Sequence, residues 1–375
     1  MESKKLKVLF LHNTMPHYRI PIWNILGEKC DLTVAYSEGK GVLPEFEGRC
    51  KFKVLYLPAW KFFSRVVIQK AQILRLVSQY DVILGTGNIT WLKVVTLPWL
   101  PWRRFPFVFW SLGVSASYTK GYDECKRWDW LRKLLYDKAD ACIFYTDYPV
   151  KKYEKMGMSS KKMFVAPNTV AVEENVPSSE KDSLLFIGSL YPQKGLGELL
   201  VAYKEVLEEG KELPILNVLG SGSEFENIQR YIEENGLKER VFLRGAIYDI
   251  QEKAKYFSRA LACISPRQAG LAVQESLGYG VPFITHKNAV TGGEVFDVKD
   301  GKTGRYFSEE ISLQEILEDI ADSPEKYIEM GQKAKAFYQA YRKPEDMVNG
   351  AWDAIQYAYH AHRKARLPAS DKYGR

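Results

Sequence analysis

Cysteine is scarce in this chain and scattered along it. The five cysteines among 375 residues are Cys30, Cys50, Cys125, Cys142 and Cys263, an odd number with no C-x-x-C pair. That pattern excludes a disulfide framework and a zinc site, and points to a reducing compartment. No run of ~18 uninterrupted apolar residues exists, so no transmembrane helix is expected. The apolar stretch in MESKKLKVLFLHN is short and leads straight into His12-Asn13, so it reads as a first β-strand rather than a signal-peptide core. A complete dinucleotide fingerprint is also missing. Gly85-Thr86-Gly87 and Gly220-Ser221-Gly222 have Thr90 and Phe225 where the third glycine would stand. Neither turn follows the first strand of its half, which weighs against a nicotinamide oxidoreductase.

What the chain does have is apolar material and an uneven charge. It is 46% hydrophobic and 13% aromatic, ample for buried cores, and its length predicts at least two domains. Residues 1–170 carry 27 Lys and Arg against 14 Asp and Glu, whereas residues 171–375 carry 26 against 32. A basic half joined to an acidic half suggests that the first meets something anionic. Its basic residues are interleaved with bulky apolar ones. Ala59 to Val77 reads AWKFFSRVVIQKAQILRLV, a basic amphipathic pattern, and Trp91, Trp99, Trp102 and Trp110 surround Arg103-Arg104. This suits an anionic membrane surface rather than nucleic acid. Core helices with snorkelling Lys and Arg are the other reading of the same pattern.

Two alternating β/α halves are predicted. Strands in the first half are expected at Lys5–Leu11, Asp31–Tyr36, Phe52–Leu57, Asp81–Leu84, Pro106–Ser111 and Ala141–Tyr145. Helical patterns fall at Ile20–Gly27, Val66–Gln79 and Trp128–Lys138. The polar, Pro-containing stretch at 171–182 reads as a linker between a domain over 1–170 and a second over 183–343. Strands of the second half are expected at 183–188, Pro214–Leu219, Arg240–Leu243, Ala262–Ser265 and Val281–Thr285. Helices follow at Pro324–Tyr341 and from Pro344 to His362. The last of these, within 344–375, is expected to cross back to the first domain and end in a basic tail. Such alternation predicts parallel sheets with right-handed crossovers.

The most informative stretch is SPRQAGLAVQESLGYGVPFITHKNAVTGGE, from Ser265 to Glu294. Pro266 breaks a short apolar strand, Gln268-Ala269-Gly270 form a turn, and Leu271 to Leu277 has helical spacing. Gly278 and Gly280 end that helix. A helix that starts just after a strand aims free N–H groups and its dipole at the ligand crevice, where a diphosphate would sit. Glu275, about one turn in, suits a vicinal diol such as a ribose.

This segment resembles the donor-site signature of the retaining GT-B glycosyltransferases, especially glycosyltransferase family 4. That signature has a Glu, Gly-Phe-Gly, a second Glu and then Gly-x-Pro. Here Glu275 matches the second Glu, Gly270 the glycine at the helix start, and Gly280-Val281-Pro282 the closing motif. Phe186 to Gly195, FIGSLYPQKG, resembles the family's Gly-Arg-Leu…Lys-Gly loop, in which two cations hold the diphosphate; Lys194 matches one of them. Gly188 and Gly220 resemble the family's strand-end glycines, and the loop through Tyr248 resembles the one lining the nucleobase. The segment His12 to Pro21 resembles an N-x-x-x-x-Y-R-x-P form from the family's bacterial polysaccharide branch. It makes Asn13, His17, Tyr18 and Arg19 candidate acceptor contacts, with Gly113 beside them; packing and capping of the first helix is the other reading for Tyr18 and Arg19.

Three positions depart from the pattern. Leu112 stands for the family's His in Leu112-Gly113, Ser189 for the Arg, and Arg267 for the first Glu. We therefore expect Arg267 to replace the phosphate charge lost at Ser189. The resemblance implies a GT-B fold, two Rossmann-like doubly wound domains with an interdomain cleft. It also implies metal-independent, retaining transfer of a sugar from a nucleotide diphosphate sugar, with Lys194 and Arg267 catalytic. Gly188, Ser189, Gly220, Tyr248, Gln268, Ala269, Gly270, Leu271, Ala272 and Glu275 would bind the donor. No cofactor is implied. The acceptor would be a polyprenyl-diphosphate-linked or other glycan, in surface polysaccharide assembly. The protein is expected in the cytoplasm, peripheral on the inner membrane face. A nucleotide-sugar epimerase and a non-catalytic glycan-binding module remain as rival readings. Turnover of nucleotide sugar alone would mark the first, and absence of nucleotide release the second.

Overall fold

The structure is a computed structural model that describes residues 4–39, 48–63, 66–117, 121–174 and 180–366. The chain divides into two units. One comprises residues 1–114, 125–167 and 344–375; the other comprises 115–124 and 168–343.

The first unit is built on a seven-stranded parallel sheet. Its strands lie side by side in the order Met163–Val165, Ala141–Phe144, Phe107–Trp110, Val82–Thr86, Lys7–His12, Asp31–Tyr36 and Lys53–Tyr56. The central strands are apolar runs because both faces of a parallel sheet are covered. Along Lys7–His12, Val8 and Phe10 face one core with Trp23, Trp110 and Met347, while Leu9 and Leu11 face another with Phe107, Phe109 and Tyr136. That is the period of two of a strand. The helix Pro344–Arg366 belongs to this unit and buries Ala351, Ala354, Ile355 and Ala358 in the first of these cores. Its small residues let it lie close: a Cβ on Gly350 would stand 2.1 Å from the Val165 carbonyl oxygen. The basic tail beyond Arg366 lies outside the described residues.

One expectation for this unit is overturned. Ala59–Val77 is not an amphipathic helix, and the helix expected over Val66–Gln79 does not form as such. Ala59–Phe62 and Val66–Gln69 pair as an antiparallel hairpin, with Trp60 opposite Ile68, and only Ile73–Val77 is helical. Val66, Val67 and Ile68 are β-branched, which favours the pleated ladder over a helix. The tryptophan group also splits. Trp91 and Trp110 are core residues, whereas Trp99 and Trp102 are 40% and 69% exposed.

The second unit holds a six-stranded parallel sheet. Its strand order is Val241–Gly245, Ile215–Leu219, Ser183–Ile187, Ala260–Ile264, Phe283–His286 and Gly304–Phe307. Leu184 and Phe186 pack into one core, Leu185 and Ile187 into the other. The last strand was not anticipated. Its residues Gly-Arg-Tyr-Phe carry no apolar run, and Gly304 is needed because a Cβ there would meet the Phe283 carbonyl oxygen at 2.0 Å. Residues 115–124, expected in the first domain, belong to this unit. Ala116–Ser117 and Gly121–Tyr122 form a small hairpin, and the Tyr122 ring meets Phe296 edge-on at 5.3 Å. The changeover between units lies at Pro167–Asn168, not at 171–182. Val170 and Glu173 are tied into the second unit through Tyr338 and Tyr279, and residues 175–179 lie outside the described residues.

In both sheets the strand that comes first in the chain lies inside the sheet, and the strand order reverses beside it. In such open sheets, ligands bind beyond the carboxyl ends of the strands at that reversal. In the second unit the reversal lies between Ser183–Ile187 and Ala260–Ile264. The loops that leave these two strands begin at Gly188 and Ser265.

Candidate active site

The loop after Ser183–Ile187 is shaped by glycine. Gly188 has φ +140, which side chains rarely adopt. Its carbonyl oxygen lies where a Cβ on Gly220 would stand, at 1.9 Å, so Gly220 admits no larger residue without a backbone shift. The Gly188 N–H donates to Leu219 O at 2.9 Å, and the Gly220 N–H donates to Gly245 O at 2.7 Å. Three strand-end loops, at 188, 220 and 245, are thereby stacked in one layer. Tyr248, in the third, is 40% exposed, and Asp249 closes that loop by capping the next helix.

Lys194 ends a single 3-10 turn, Pro192–Lys194. Its ammonium lies over Gly188, 3.4 Å from where a Cβ would be, and makes no hydrogen bond or ion pair among the described residues. Burial without a compensating carboxylate pushes its pKa below the ordinary lysine value. Ser189, where the family has Arg, is exposed.

The second loop is held against the first by its backbone. The Arg267 N–H donates to Lys194 O at 3.3 Å, and Gly195, at φ +77, leaves room for Pro266 and Arg267. Further along, Ser265 Oγ donates to Gln268 O at 2.9 Å, and Gln268-Ala269 pair in parallel with Val290-Thr291. Gly270 then opens the helix Leu271–Gly278, with no side-chain cap and no acidic residue in its first turn. The first-turn N–H groups, Leu271 and Ala272 among them, have no acceptor within the helix. Together with the helix dipole they favour an anion at this end.

Glu275 is nine-tenths buried, and its Oε1 is ion-paired with the Lys253 ammonium, which is equally buried. Lys253 was not picked out by the sequence reading. The signal available was a single lysine on the apolar face of an otherwise amphipathic helix, beside Ala254 and Phe257. Arg267 does not point where the compensation idea requires. Its Nε donates to Glu198 at 2.9 Å, and its side chain is 62% exposed. It lines a cavity of about 400 Å³ with Gln193, Glu198, His286 and Asn288, and neither Lys194, Gly270 nor Glu275 lines that cavity.

The first-unit candidates sit at strand ends of their own sheet. Asn13 accepts the N–H groups of Ser37 and Glu38 through its backbone oxygen, while its buried Oδ1 has no partner among the described residues. His12, just before it, is kept neutral by burial, its pKa lowered to about 4, and its Nδ1 lies 2.8 Å from Thr14 O. His17 and the half-exposed Tyr18 form an edge-to-face pair at 5.6 Å. Arg19 is buried, with Nη1 donating to Met347 Sδ at 3.1 Å and the guanidinium over Tyr18 and Tyr145. These contacts pack it into the first unit. Gly113, at φ +75, is a packing glycine: a Cβ would meet Pro149 at 2.6 Å, and its carbonyl accepts from Tyr153 Oη. Among the described residues no three His, Cys, Asp or Glu side chains gather as metal ligands, and no helix is long and apolar enough to cross a membrane.

Comparison with known proteins bears on the same residues. The family described as glycosyl transferases group 1 matches residues 169–337. The match to that family is confined to residues 169–337, in a chain with the GT-B fold. All the donor-site candidates lie within that span. The chain is 26% identical over 224 residues to the poly(glycerol-phosphate) alpha-glucosyltransferase of Bacillus subtilis, covering 57% of this chain and 32% of that protein. It is 27% identical over 169 residues to the lipopolysaccharide 1,6-galactosyltransferase of Salmonella typhimurium, covering 40% and 46%. The chain thus spans less than half the length of each of these two relatives. Among solved structures, Anabaena HepE in complex with UDP-glucose superposes with a TM-score of 0.69 at 14% identity, covering 94% and 99%. WaaG, described as a glycosyltransferase involved in lipopolysaccharide biosynthesis, superposes with a TM-score of 0.61 at 13% identity, covering 93% and 99%.

The lowered pKa of Lys194 gives the candidate site a pH signature. Lys194 loses its proton at lower pH than an exposed lysine, so affinity for a nucleoside diphosphate should fall as pH rises toward the ordinary lysine range. Lys194→Arg, charged throughout, should abolish that alkaline limb. Calorimetry from about pH 7 to about pH 10 measures it. A wild-type affinity that is flat over this range would show that Lys194 carries no bound anion.

Proposed function

We propose that this chain is a retaining, metal-independent glycosyltransferase that uses a nucleoside diphosphate sugar. The observation that carries the reading is the pairing of an uncompensated, half-buried ammonium, Lys194, with an uncapped helix N-terminus at Gly270–Ala272. Both belong to loops that leave adjacent strands, and the Lys194 carbonyl and the Arg267 amide join them. Positive charge without a protein partner suits a diphosphate. Glu275, one turn into the helix, suits the sugar-ring diol of the nucleoside. The stacked glycines and the short, bonded loop through Gln268 hold these groups in place before any ligand arrives, which lowers the cost of binding.

In the reaction, the bond from the anomeric carbon to the diphosphate oxygen breaks and a bond to the acceptor hydroxyl oxygen forms on the same face. The leaving diphosphate takes the acceptor proton. Lys194 and the helix N-terminus stabilise the charge that grows on that diphosphate, an electrostatic effect largest in the transition state. Arg267 can join only by leaving Glu198, so we assign the phosphate charge to Lys194 and the helix rather than to Arg267.

The acceptor we propose is a lipid-linked glycan, polyprenyl-diphosphate-linked, reached from an anionic membrane surface. Support comes from the first unit. Trp102 and Phe63 are 69% and 94% exposed, Trp60 is 51% exposed, and Arg104 is exposed beside Trp102. Arg103 is not part of this surface, because it is ion-paired with Asp140. The curated relatives act on glycerol-phosphate polymer and lipopolysaccharide by name, which fits surface-glycan work.

Two measurements follow. Nucleotide-sugar turnover across UDP, GDP, dTDP and ADP donors should identify one that releases nucleotide only with acceptor. Glu275→Ala should then weaken that nucleotide diphosphate by about 1.5–3 kcal/mol, the range for hydrogen bonds to a charged group. Unchanged affinity in calorimetry would remove Glu275 from the nucleoside site. The second concerns the surface. The protein should co-sediment with anionic but not neutral vesicles, at micromolar strength, and salt should release it. Trp102→Ser with Phe63→Ser should reduce that binding. Equal binding to both lipids, or to neither, would contradict the membrane reading and leave the donor site standing.

A further inference from the structure

The buried pair between Lys253 and Glu275 is unexplained by folding alone. The helix Ile250–Arg259 begins where the Asp249 carboxylate accepts the N–H groups of Gln251 and Glu252 at 2.9 and 3.1 Å. It buries Lys253, Ala254 and Phe257 on one face. Ala254 and Phe257 join an apolar cluster with Cys263, Val273 and Leu277. An apolar residue at 253 would suit that cluster better. A buried ion pair gains little over well-packed apolar residues, because both charges lose their water. The sequence nevertheless places an ammonium there and a carboxylate opposite, each about one-tenth exposed.

The geometry explains what the pair achieves. Lys253 engages Oε1 of Glu275, while Oε2 accepts no hydrogen bond among the described residues. A carboxylate with one oxygen anchored keeps a fixed rotamer and offers the other to a ligand. Without Lys253 the side chain of Glu275 would have no partner among the described residues to hold it in one orientation.

We propose that Lys253 is a positioning residue that fixes the orientation of Glu275, and so sets the enzyme's preference for a ribose over a 2′-deoxyribose nucleotide. The inference rests on the donor-site reading above and goes beyond it, because it assigns sugar selectivity to a residue that does not itself touch the ligand.

The test compares ribo- and 2′-deoxyribonucleoside diphosphates of one base, using whichever of UDP, GDP or ADP binds the wild-type protein most tightly. Wild type should prefer the ribo form by about tenfold or more, as expected for hydrogen bonds to a charged group. Lys253→Met should bring that ratio close to one, and Lys253→Arg should restore most of it. If Lys253→Met does not fold, Lys253→Met combined with Glu275→Gln removes the stranded charge, and Lys253→Arg carries the comparison. A full ribose preference in Lys253→Met, or in the double variant, would overturn the positioning role while leaving the nucleotide site intact. A wild type that binds both sugar forms equally would overturn the selectivity proposal, and one that binds none of UDP, GDP, ADP or dTDP would overturn the donor-site reading itself.

Discussion

The contact on which the candidate site depends is the approach of the Gly188 carbonyl to Gly220. With 1.9 Å to the position of a Cβ on residue 220, it can exist only because that residue is glycine. It lets the loops that leave two neighbouring strands stack directly, and Gly220 passes the same order on to Gly245 through a backbone hydrogen bond. The left-handed turn at Gly188 then leaves the chain free to fold back, so that the Lys194 ammonium comes to rest over it. Loops built this way have few conformations, and the groups they carry are fixed by backbone geometry rather than by long side chains.

Charge gives that layer its chemistry. The site gathers a lysine ammonium with no carboxylate partner and a helix N-terminus with no cap, on loops that are bonded to each other. Leaving both uncompensated costs stability, and burial already weakens the hold of Lys194 on its proton. Such an arrangement is worth its cost only where an anion supplies the missing partner. The other cations nearby are spoken for: Arg267 by Glu198, and Lys253 by Glu275. The distinction between paired and unpaired cations sets Lys194 apart from Arg267 and Lys253, and composition alone does not make it.

Much of the fold was legible because strands buried on both faces read as unbroken apolar runs. Asp31–Tyr36 matches its expected bounds, and most other strands shift by one or two residues. The elements that were misread had other reasons to form. Gly304–Phe307 is a strand because of where it docks, against Phe283–His286, not because of its own residues. The hairpin at Ala59–Gln69 mixes basic and apolar residues at a spacing that also fits a helix. The assignment of residues 115–124 to the second unit is a tertiary fact with no local signal. In the candidate site, Lys194, Gly270 and Glu275 were singled out because their spacing repeats a known pattern. Lys253 was not, since its meaning comes from a partner 22 residues away. Arg267 shows the converse: its place in the pattern suggested a phosphate role, but the neighbouring Glu198 claims it.

The central claim is that a nucleoside diphosphate occupies the layer formed by the 188–195 loop and the start of the helix Leu271–Gly278. Amide hydrogen exchange with and without the cognate nucleoside diphosphate tests it most directly. The account predicts slowed exchange across 188–195, where the ligand would hold the loop, and at Leu271 and Ala272, whose N–H groups have no acceptor within the helix. Slowed exchange confined to the cavity beside Arg267 and His286, or to the first unit, would contradict it.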